Sequence, residues 1–441
     1  MKSAALGHYL LRRREKLDKL FRPGGRVFFG WWIVLASAGL QWLVALTWLQ
    51  SFGAYAVLLQ ADFGWSMSVL SIAFALTRLE TGLLGPIQGW LVDRYGPRRI
   101  LVIGFLVLGV GFLAFSQMNS IPSYIVAVIL IALGSSLGGF PTLMVAIVSW
   151  FKVHRSKAIA WSQMGYGVGG LCIPLIVFGL EIQGWRAVAF LSAIAVVALG
   201  IPMVWLIRHH PEGMGEHPDG ISPREVDEIA DEKKAREPIH RDYTWRQALR
   251  TPTFWLLSVG HGLSLLAVSS MIAHLIPHLT TSLDYSLVEA GFAFSIMTSM
   301  QMTGVFLGGF LGDYFNKRIT IGFCMIGHFI GLMALINATD FYLIVVFAVF
   351  HGLGWGVRAP IIVALRADYF GSKSFGTIIG ISSLIAMIGM TAGPLLCGIL
   401  FDIYGNYRIA FGIIALATLA GALCLWAATP PRPIIETRPL R

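Results

Sequence analysis

Three side chains that could bind an anion recur along one segment, HGLGWGVRAP at residues 351–360. His351, Trp355 and Arg358 are spaced by four and three residues, so in a helix they lie on one face. The planar guanidinium group of arginine matches the two oxygens of a carboxylate. The spacing therefore predicts a carboxylate-binding stripe with Arg358 as its charged member. The alternative is a buried ion pair between Arg358 and an acidic residue of a neighbouring helix.

Two further charges, Arg78 and Glu80, lie inside the apolar part of FALTRLETGLLGPIQGWLVDRYGPRR, residues 74–99. At 100° per residue Arg78 shares a helix face with Gly85 and Gly89, so it is expected to face another helix. There it contacts substrate or a gate, or it forms an interhelical salt bridge. Glu80 points about 200° away at this helical spacing. It is a candidate for proton coupling, because a carboxyl group in an apolar setting can take up a proton near neutral pH, or it is paired structurally.

Polar and aromatic side chains also share a face of the first apolar segment. Gln41, Trp48, Phe52 and Tyr55 fall on one stripe if the segment is a continuous helix. In a membrane bundle such residues line a polar seam, or they pack without touching a substrate. We predict Gln41, Trp48 and Tyr55 as substrate contacts.

Two histidines four residues apart, His274 and His278, lie in MIAHLIPHL at residues 271–279. This spacing could hold a metal ion, but no third ligand is close in the sequence, so no metal site is expected. A gate, a proton relay or a satisfied polar group fits better, and His274 is the candidate for proton coupling.

Helices that cross a membrane must position these residues. The chain has 441 residues, of which 56% are hydrophobic and 13% charged, and its mean hydropathy is +0.72. Soluble domains average about 25% charged residues, so a soluble enzyme is excluded. Twelve segments are long enough to span hydrocarbon as helices: 28–60, 67–91, 100–117, 122–150, 158–180, 187–207, 251–280, 287–311, 319–337, 341–365, 374–400 and 408–428.

The distribution of positive charge predicts the orientation in the membrane. The net charge of +10 would suit nucleic acid, but 29 of the 33 Lys and Arg residues fall in the two tails, the linker and the short loops of one side. Cytoplasmic loops carry such an excess of Lys and Arg. The N- and C-termini are therefore predicted to be cytoplasmic, and nucleic-acid binding is excluded.

The sequence also contains an internal repeat. Gly89, Asp93 and Arg98 recur 220 residues later as Gly309, Asp313 and Arg318. A repeat of this period predicts two six-helix bundles of parallel topology. The predicted organisation is a tail, a bundle, a linker, a second bundle and a tail, at 1–27, 28–207, 208–250, 251–428 and 429–441. No nucleophile elbow, zinc-protease motif or phosphate-binding loop is present in context, so no catalytic residue, metal or cofactor is expected.

The loop motif carries a family resemblance. GWLVDRYGPRR resembles the signature loop of the major facilitator superfamily, and GGFLGDYFNKR resembles the degenerate second copy that the family usually shows. FFGWWIV (28–34), SFGAYAVLLQADFGWSMS (51–68) and TPTFWLL (251–257) are similar to the monocarboxylate and oxalate–formate porter group. The resemblance implies an all-α fold of twelve transmembrane helices in two six-helix repeats. It also implies a central cavity lined by the tenth span.

The same resemblance implies a gate and a place for the substrate charge. The loop motif is expected to latch the cytoplasmic side in one state, through Gly85, Gly89, Asp93, Arg94, Gly96, Arg98, Asp313 and Arg318. Carriers of the porter group typically place an arginine in the eighth span. Here GFAFSIMTSMQMTGVFLGGFLG has no charge before Asp313, so the tenth span supplies the candidate cation.

Together these patterns predict a secondary active transporter that moves a small organic anion, a monocarboxylate, by proton symport or anion exchange. It is expected to act as a monomer in the plasma membrane, the inner membrane of a bacterium. The alternatives are an exporter of drugs or other hydrophobic compounds with the same fold, and a non-transporting membrane sensor. The predicted substrate contacts are Arg358, His351, Trp355, Arg78, Gln41, Trp48 and Tyr55.

Overall fold

The computed structural model describes residues 27–151, 154–221, 243–371 and 374–431. Within these ranges, all regular structure longer than a turn is helical. The α-helices, numbered in chain order, are α1 Phe29–Val44, α2 Phe52–Phe63, α3 Met67–Tyr95, α4 Pro97–Gln117, α5 Ile121–Leu137, α6 Phe140–Trp150, α7 Arg155–Leu171, α8 Ile173–Leu206, α9 Trp245–Leu249, α10 Pro252–Ser282, α11 Leu287–Tyr314, α12 Lys317–Ile336, α13 Phe341–Phe370, α14 Phe375–Tyr404 and α15 Arg408–Ala427.

The helices are long and apolar enough for a membrane. Among the described residues, 10 helical stretches meet the length and hydropathy expected of a span. One of them, Lys157–Leu206, is 50 residues long and covers both the fifth and the sixth predicted spans. The second predicted span corresponds to α3, which has 29 residues. The predicted all-α membrane fold is therefore confirmed.

Glycines end or break two of these helices where the backbone turns left-handed. Gly184, at φ 77°, interrupts α8 between the fifth and sixth predicted spans. Gly371, at φ 74°, ends α13 five residues beyond the end at 365 that the sequence predicted. A side chain strains this backbone region, whereas glycine enters it freely. Arg366, expected in a cytoplasmic loop, is consequently helical and only 3% exposed, so its assignment to the loop was wrong.

The first span is not the single α-helix that the sequence suggested. A π-helical segment, Ala45–Leu49, follows α1, and α2 begins only at Phe52. The Ser51 hydroxyl donates a hydrogen bond to the carbonyl oxygen of Leu46, and this bond satisfies a backbone acceptor where the regular helix is interrupted. The stripe expected for Gln41, Trp48 and Tyr55 assumed unbroken helical spacing, and that assumption was wrong.

Two compact units divide the chain. The first unit comprises residues 1–45, 83–169 and 189–238, and the second comprises 46–82, 170–188 and 239–441. The second unit contains segments from both predicted bundles, so the units do not coincide with bundles at 28–207 and 251–428. The bundle boundaries remain a prediction from the internal repeat.

Close backbone contact at small residues holds the first unit together. A Cβ atom on Gly134 of α5 would lie 2.3 Å from the amide nitrogen of Leu108 in α4. A Cβ atom on Gly165 of α7 would lie 1.8 Å from the carbonyl oxygen of Ala38 in α1. Only glycine fits at such distances, which is the usual device for packing helices in a membrane.

The second unit uses the same device around α13. A Cβ atom on Gly352 would lie 2.4 Å from the carbonyl oxygen of Met297 in α11, and one on Gly356 would lie 2.0 Å from that of Gln301. On another side, a Cβ atom on Gly354 would lie 2.7 Å from the carbonyl oxygen of Cys324 in α12. Backbone contact with α11 and α12 thus fixes α13 in position.

Candidate substrate site

A row of basic side chains on α13 lies in the interior of the second unit. His351 is fully buried, Arg358 is 1% exposed and Arg366 is 3% exposed, whereas Trp355 is half-buried. The glycines between His351 and Arg358 carry no side chains, so α11 and α12 approach closely around this segment. The helix that the sequence singled out for a carboxylate therefore does bury its arginine.

Arg358 has donors without partners. Its Nε and Nη1 atoms make no hydrogen bond to any described residue, and no described carboxylate forms a salt bridge with it. Burying a charge costs several kcal/mol of folding free energy unless the charge is paired and hydrogen-bonded. The two unsatisfied nitrogen atoms of this guanidinium therefore lower the stability of the protein. The alternative was a structural ion pair, but no acidic residue in the described part of the chain pairs with Arg358. An anionic ligand would supply the missing acceptors.

A second histidine lies beside His351. The Nδ1 atom of His328, on α12, lies 3.0 Å from Nδ1 of His351, and the ring centroids are 4.4 Å apart. If one Nδ1 donates to the other, the donor ring keeps an unprotonated Nε2 and the acceptor ring carries its proton on Nε2. Neither Nε2 atom has a partner among the described residues. The pair therefore offers a ligand one hydrogen-bond donor and one acceptor, whichever tautomers are present.

Arg366 continues the basic row toward the end of α13. Its Nη2 atom lies 3.0 Å from Nδ1 of His261 on α10, where the neutral imidazole nitrogen accepts the bond. Eight residues separate Arg366 from Arg358, about 12 Å along a helix. Two buried guanidiniums on one helix make this part of the second unit strongly electropositive.

The sequence did not single out His328 or Arg366. A histidine in the middle of an otherwise apolar helix, IGHFIGL, is a signal that could have indicated His328. Arg366 was missed because the predicted helix ended at 365, five residues before the end of α13, and the residue was counted with the loop.

The predicted contacts of the first span have other neighbours. The amide nitrogen of Gln41 donates to the hydroxyl and carbonyl oxygens of Ser162 on α7, at 2.7 and 2.9 Å, in the first unit. In the second unit Trp48 packs at 5.6 Å from Phe52 and 6.5 Å from Tyr55, and all three rings are buried. These contacts give Gln41 a role in helix packing.

The loop motif is described only in part. The side chains of Arg78, Glu80, Gly85, Gly89, Asp93 and Asp313 lie outside the described residues. Gly96 adopts φ 79° between α3 and α4, and Arg94 is exposed. In the second copy, Arg318 is half-buried and the neighbouring Lys317 forms a salt bridge of 2.5 Å with Asp368. The gating role stays a prediction.

His274 lies at a junction of four helices in the second unit. Its Nε2 atom is 3.1 Å from the Ser71 hydroxyl of α3 and 2.9 Å from the Pro394 carbonyl of α14, and its Nδ1 atom is 3.1 Å from the hydroxyl of Tyr407, which precedes α15. His278 instead packs against the rings of Tyr407 and Phe411. No group of metal-ligating side chains occurs in the described part of the chain.

A family model agrees with this architecture over almost all of the sequence. The model described as Major Facilitator Superfamily matches residues 27–275 and 258–441. The chain belongs to this superfamily. It is an integral membrane protein and a secondary transporter of a small molecule, and it is not an enzyme.

Solved structures show the same fold for this transporter. The xylose transporter XylE of E. coli, in an inward open conformation, aligns with a TM-score of 0.67 and 14% sequence identity over 91% of this chain and 96% of that one. At this identity the likeness establishes the fold alone.

Two similar sequences are named for the transport of an organic acid. The hexuronate transporter of E. coli (strain K12) is 24% identical over 92% of this chain and 95% of its own length. The cis,cis-muconate transport protein of Acinetobacter baylyi is 25% identical over 80% of this chain and 86% of its own.

Proposed function

We propose that this transporter moves a small organic anion, a monocarboxylate, with Arg358 as its charge partner. The observation that carries the proposal is a buried guanidinium with free donors and no described counter-ion. A carboxylate fits the guanidinium fork in a bidentate way. The carboxylates named for two relatives are consistent with an anionic substrate.

The buried basic row also suggests how substrate and conformation are coupled. An unliganded Arg358 leaves a charge unpaired inside the second unit, and a bound carboxylate neutralises it. Alternating access then follows from rocking of the two repeats around the bound anion. In anion exchange one anion replaces another at Arg358, so the site stays neutral. In proton symport the proton and the anion cross together, so the transported pair carries no net charge.

Other parts of the prediction extend this proposal without being needed for it. His351 and Trp355 are assigned to the substrate with Arg358. The secondary candidates are Arg78, Gln41, Trp48 and Tyr55. Glu80 and His274 are the candidates for proton coupling. We place the termini in the cytoplasm of a bacterial cell and the protein in its inner membrane as a monomer.

Uptake into proteoliposomes tests the charge partner. The purified transporter should accumulate labelled lactate, and Arg358→Ala should reduce the initial rate by about 100-fold, since two charge-assisted hydrogen bonds are worth about 3 kcal/mol together. Arg408→Ala is the matched control, because Arg408 is an exposed arginine of the same unit. Unchanged uptake by Arg358→Ala would refute the site.

A substrate panel tests the class. Small monocarboxylates should compete with labelled lactate more strongly than the larger uronates, and more strongly than dicarboxylates, sugar phosphates or cationic dyes. Uptake that rises with an inward proton gradient indicates symport, and uptake that needs a trapped anion inside the vesicle indicates exchange. Transport of the cationic dyes with no competition by any acid would contradict an anion carrier and favour the exporter.

A further inference from the structure

A second basic site lies in the first unit, away from the buried row. A cavity of about 470 Å³ opens where α3 ends, α4 begins and α8 ends. It is lined by Arg94, Tyr95, Gly96, Pro97, Arg98, Arg99, Ile207, Arg208 and His209. Four arginines thus line one cavity, and none of its described lining residues is acidic.

The backbone explains why the arginines gather there. Gly96 turns the chain at φ 79°, and Pro97 occupies the first turn of α4, so Arg98 and Arg99 follow within that turn. Arg208 comes from a different part of the chain, two residues after the end of α8. The cavity is therefore assembled from two segments more than 100 residues apart in the sequence.

The equivalent loop of the second repeat is built differently. There Lys317, at the position of Pro97, forms a salt bridge with Asp368. No described carboxylate pairs with Arg94, Arg98, Arg99 or Arg208. The first-repeat cavity instead has a surplus of positive charge and room for an anion.

The tryptophans near the cavity indicate how deep it lies in the membrane. Arg94 lies 5.3 Å above the ring of Trp90, which is 53% exposed, and Trp205 of α8 is 61% exposed. Exposed tryptophans near helix ends are typical of the boundary between hydrocarbon and headgroups. On the predicted orientation this is the cytoplasmic boundary, where basic pockets between helices meet anionic lipids.

We propose that this cavity binds the phosphate group of an anionic membrane lipid. Guanidinium groups recognise phosphate through paired hydrogen bonds, and four of them surround the space that one headgroup requires. The acyl chains would lie beside the exposed rings of Trp90 on α3 and Trp205 on α8. A free phosphate offers the same chemistry without the chains, which separates the two sources experimentally.

Thermal unfolding in neutral detergent tests the proposal independently of transport. Phosphatidylglycerol should raise the unfolding temperature of the wild-type transporter in a saturable way, whereas phosphatidylcholine and inorganic phosphate at the same concentrations should not. Arg99→Gln with Arg208→Gln should weaken the apparent affinity for phosphatidylglycerol by about 30-fold, since each arginine near the surface contributes about 1 kcal/mol.

A second pair of substitutions controls for loss of charge. Arg246→Gln with Arg250→Gln removes two exposed arginines that are predicted on the same side of the membrane but lie outside the cavity. This variant should keep the wild-type response to phosphatidylglycerol. An equal loss in both double variants, or an equal shift with phosphatidylcholine, would overturn the site. An equal shift with inorganic phosphate would overturn the lipid as its ligand.

Discussion

Two buried histidine clusters of the second unit differ in how well their polar atoms are satisfied. Around His274, both ring nitrogens meet hydrogen-bond partners, from Ser71, Pro394 and Tyr407. Around Arg358, the guanidinium and the neighbouring His328–His351 pair leave buried nitrogens without a partner among the described residues. Both clusters are buried to a similar degree, so burial alone does not distinguish them.

The difference separates two uses of buried polarity. A satisfied network fixes the helices that contribute to it, because breaking one member orphans the others. An unsatisfied cluster destabilises the protein until a ligand completes it, and that cost favours binding. We therefore interpret the Arg358 cluster as the place of the substrate. The His274 cluster is a joint between helices, and its imidazole is also the group proposed above for proton coupling.

The largest expected effect comes from replacing the unpaired charge with an apolar side chain. Arg358→Met should abolish transport yet leave the substrate-free protein as stable as wild type, or more stable by about 1–4 kcal/mol. Substrate at 100 times its dissociation constant should stabilise the wild type by about 2.7 kcal/mol and the variant not at all. Thermal unfolding with and without substrate measures both effects.

The unfolding free energy of Arg358→Met also shows whether Arg358 is unpaired or belongs to a structural ion pair. Were Arg358 held by an acid as a structural ion pair, Arg358→Met would leave a buried carboxylate unpaired and cost about 3–5 kcal/mol. Arg408→Met, at an exposed arginine, provides the baseline for a change that removes the same charge from the surface.

The opposite pattern is expected for the satisfied cluster. His274→Phe leaves the Tyr407 hydroxyl and the Pro394 carbonyl without this partner, at about 1–3 kcal/mol for each group. We expect the unfolding free energy to fall by about 2–6 kcal/mol. The apparent affinity for substrate should change little in the fraction that remains folded.

The neighbouring His278 provides a matched control for this substitution. It lies one helical turn further along α10 and is only 4% exposed, and neither of its ring nitrogens has a hydrogen-bond partner among the described residues. His278→Phe keeps the packing on Tyr407 and Phe411 and should be close to neutral in stability. Equal destabilisation by both variants would mean that ring packing, and not hydrogen bonding, holds the joint.

Much of the fold could be predicted from the sequence because membrane spans are local features. Apolar length, positive loops and glycine turns each depend on a few neighbouring residues. The helix break at Ala45–Leu49 was not predicted, because a π-helical segment has no distinctive amino-acid composition. The burial of Arg366 escaped because a charged residue near the end of an apolar run is usually assigned to the loop.

The site could be predicted less completely because its contacts are remote in the sequence. Arg358 was found as a charge within an apolar span, a local anomaly. Its environment depends on His328 of another helix, and the partners of His274 lie 120 to 203 residues away. Spacing on one helix reveals which residues share a face, but not which of them meet a partner across the bundle.

The smallest expected effect concerns a contact between the two sequence repeats next to the His274 cluster. The two carboxylate oxygens of Asp402, near the end of α14, accept bonds from the backbone N–H groups of Met67 and Ser68 at the start of α3, at 2.9 and 2.8 Å. Asp402→Ala removes this cap and should cost about 1 kcal/mol of unfolding free energy.

Asp340→Ala is the control for Asp402→Ala, because it removes a helix cap that lies away from the His274 cluster. Asp340 caps its own helix, α13, by accepting from the Leu343 N–H at 3.1 Å, so its loss should cost a similar amount. Combined with His274→Phe, Asp402→Ala should be non-additive by about 0.5 kcal/mol or more, because both act at the contact of α3 with α14, whereas Asp340→Ala should be additive. If the stability effects add in both double variants, the Asp402 cap and the His274 cluster are independent. The contact that joins the helices would then consist of the hydrogen bonds of His274 alone.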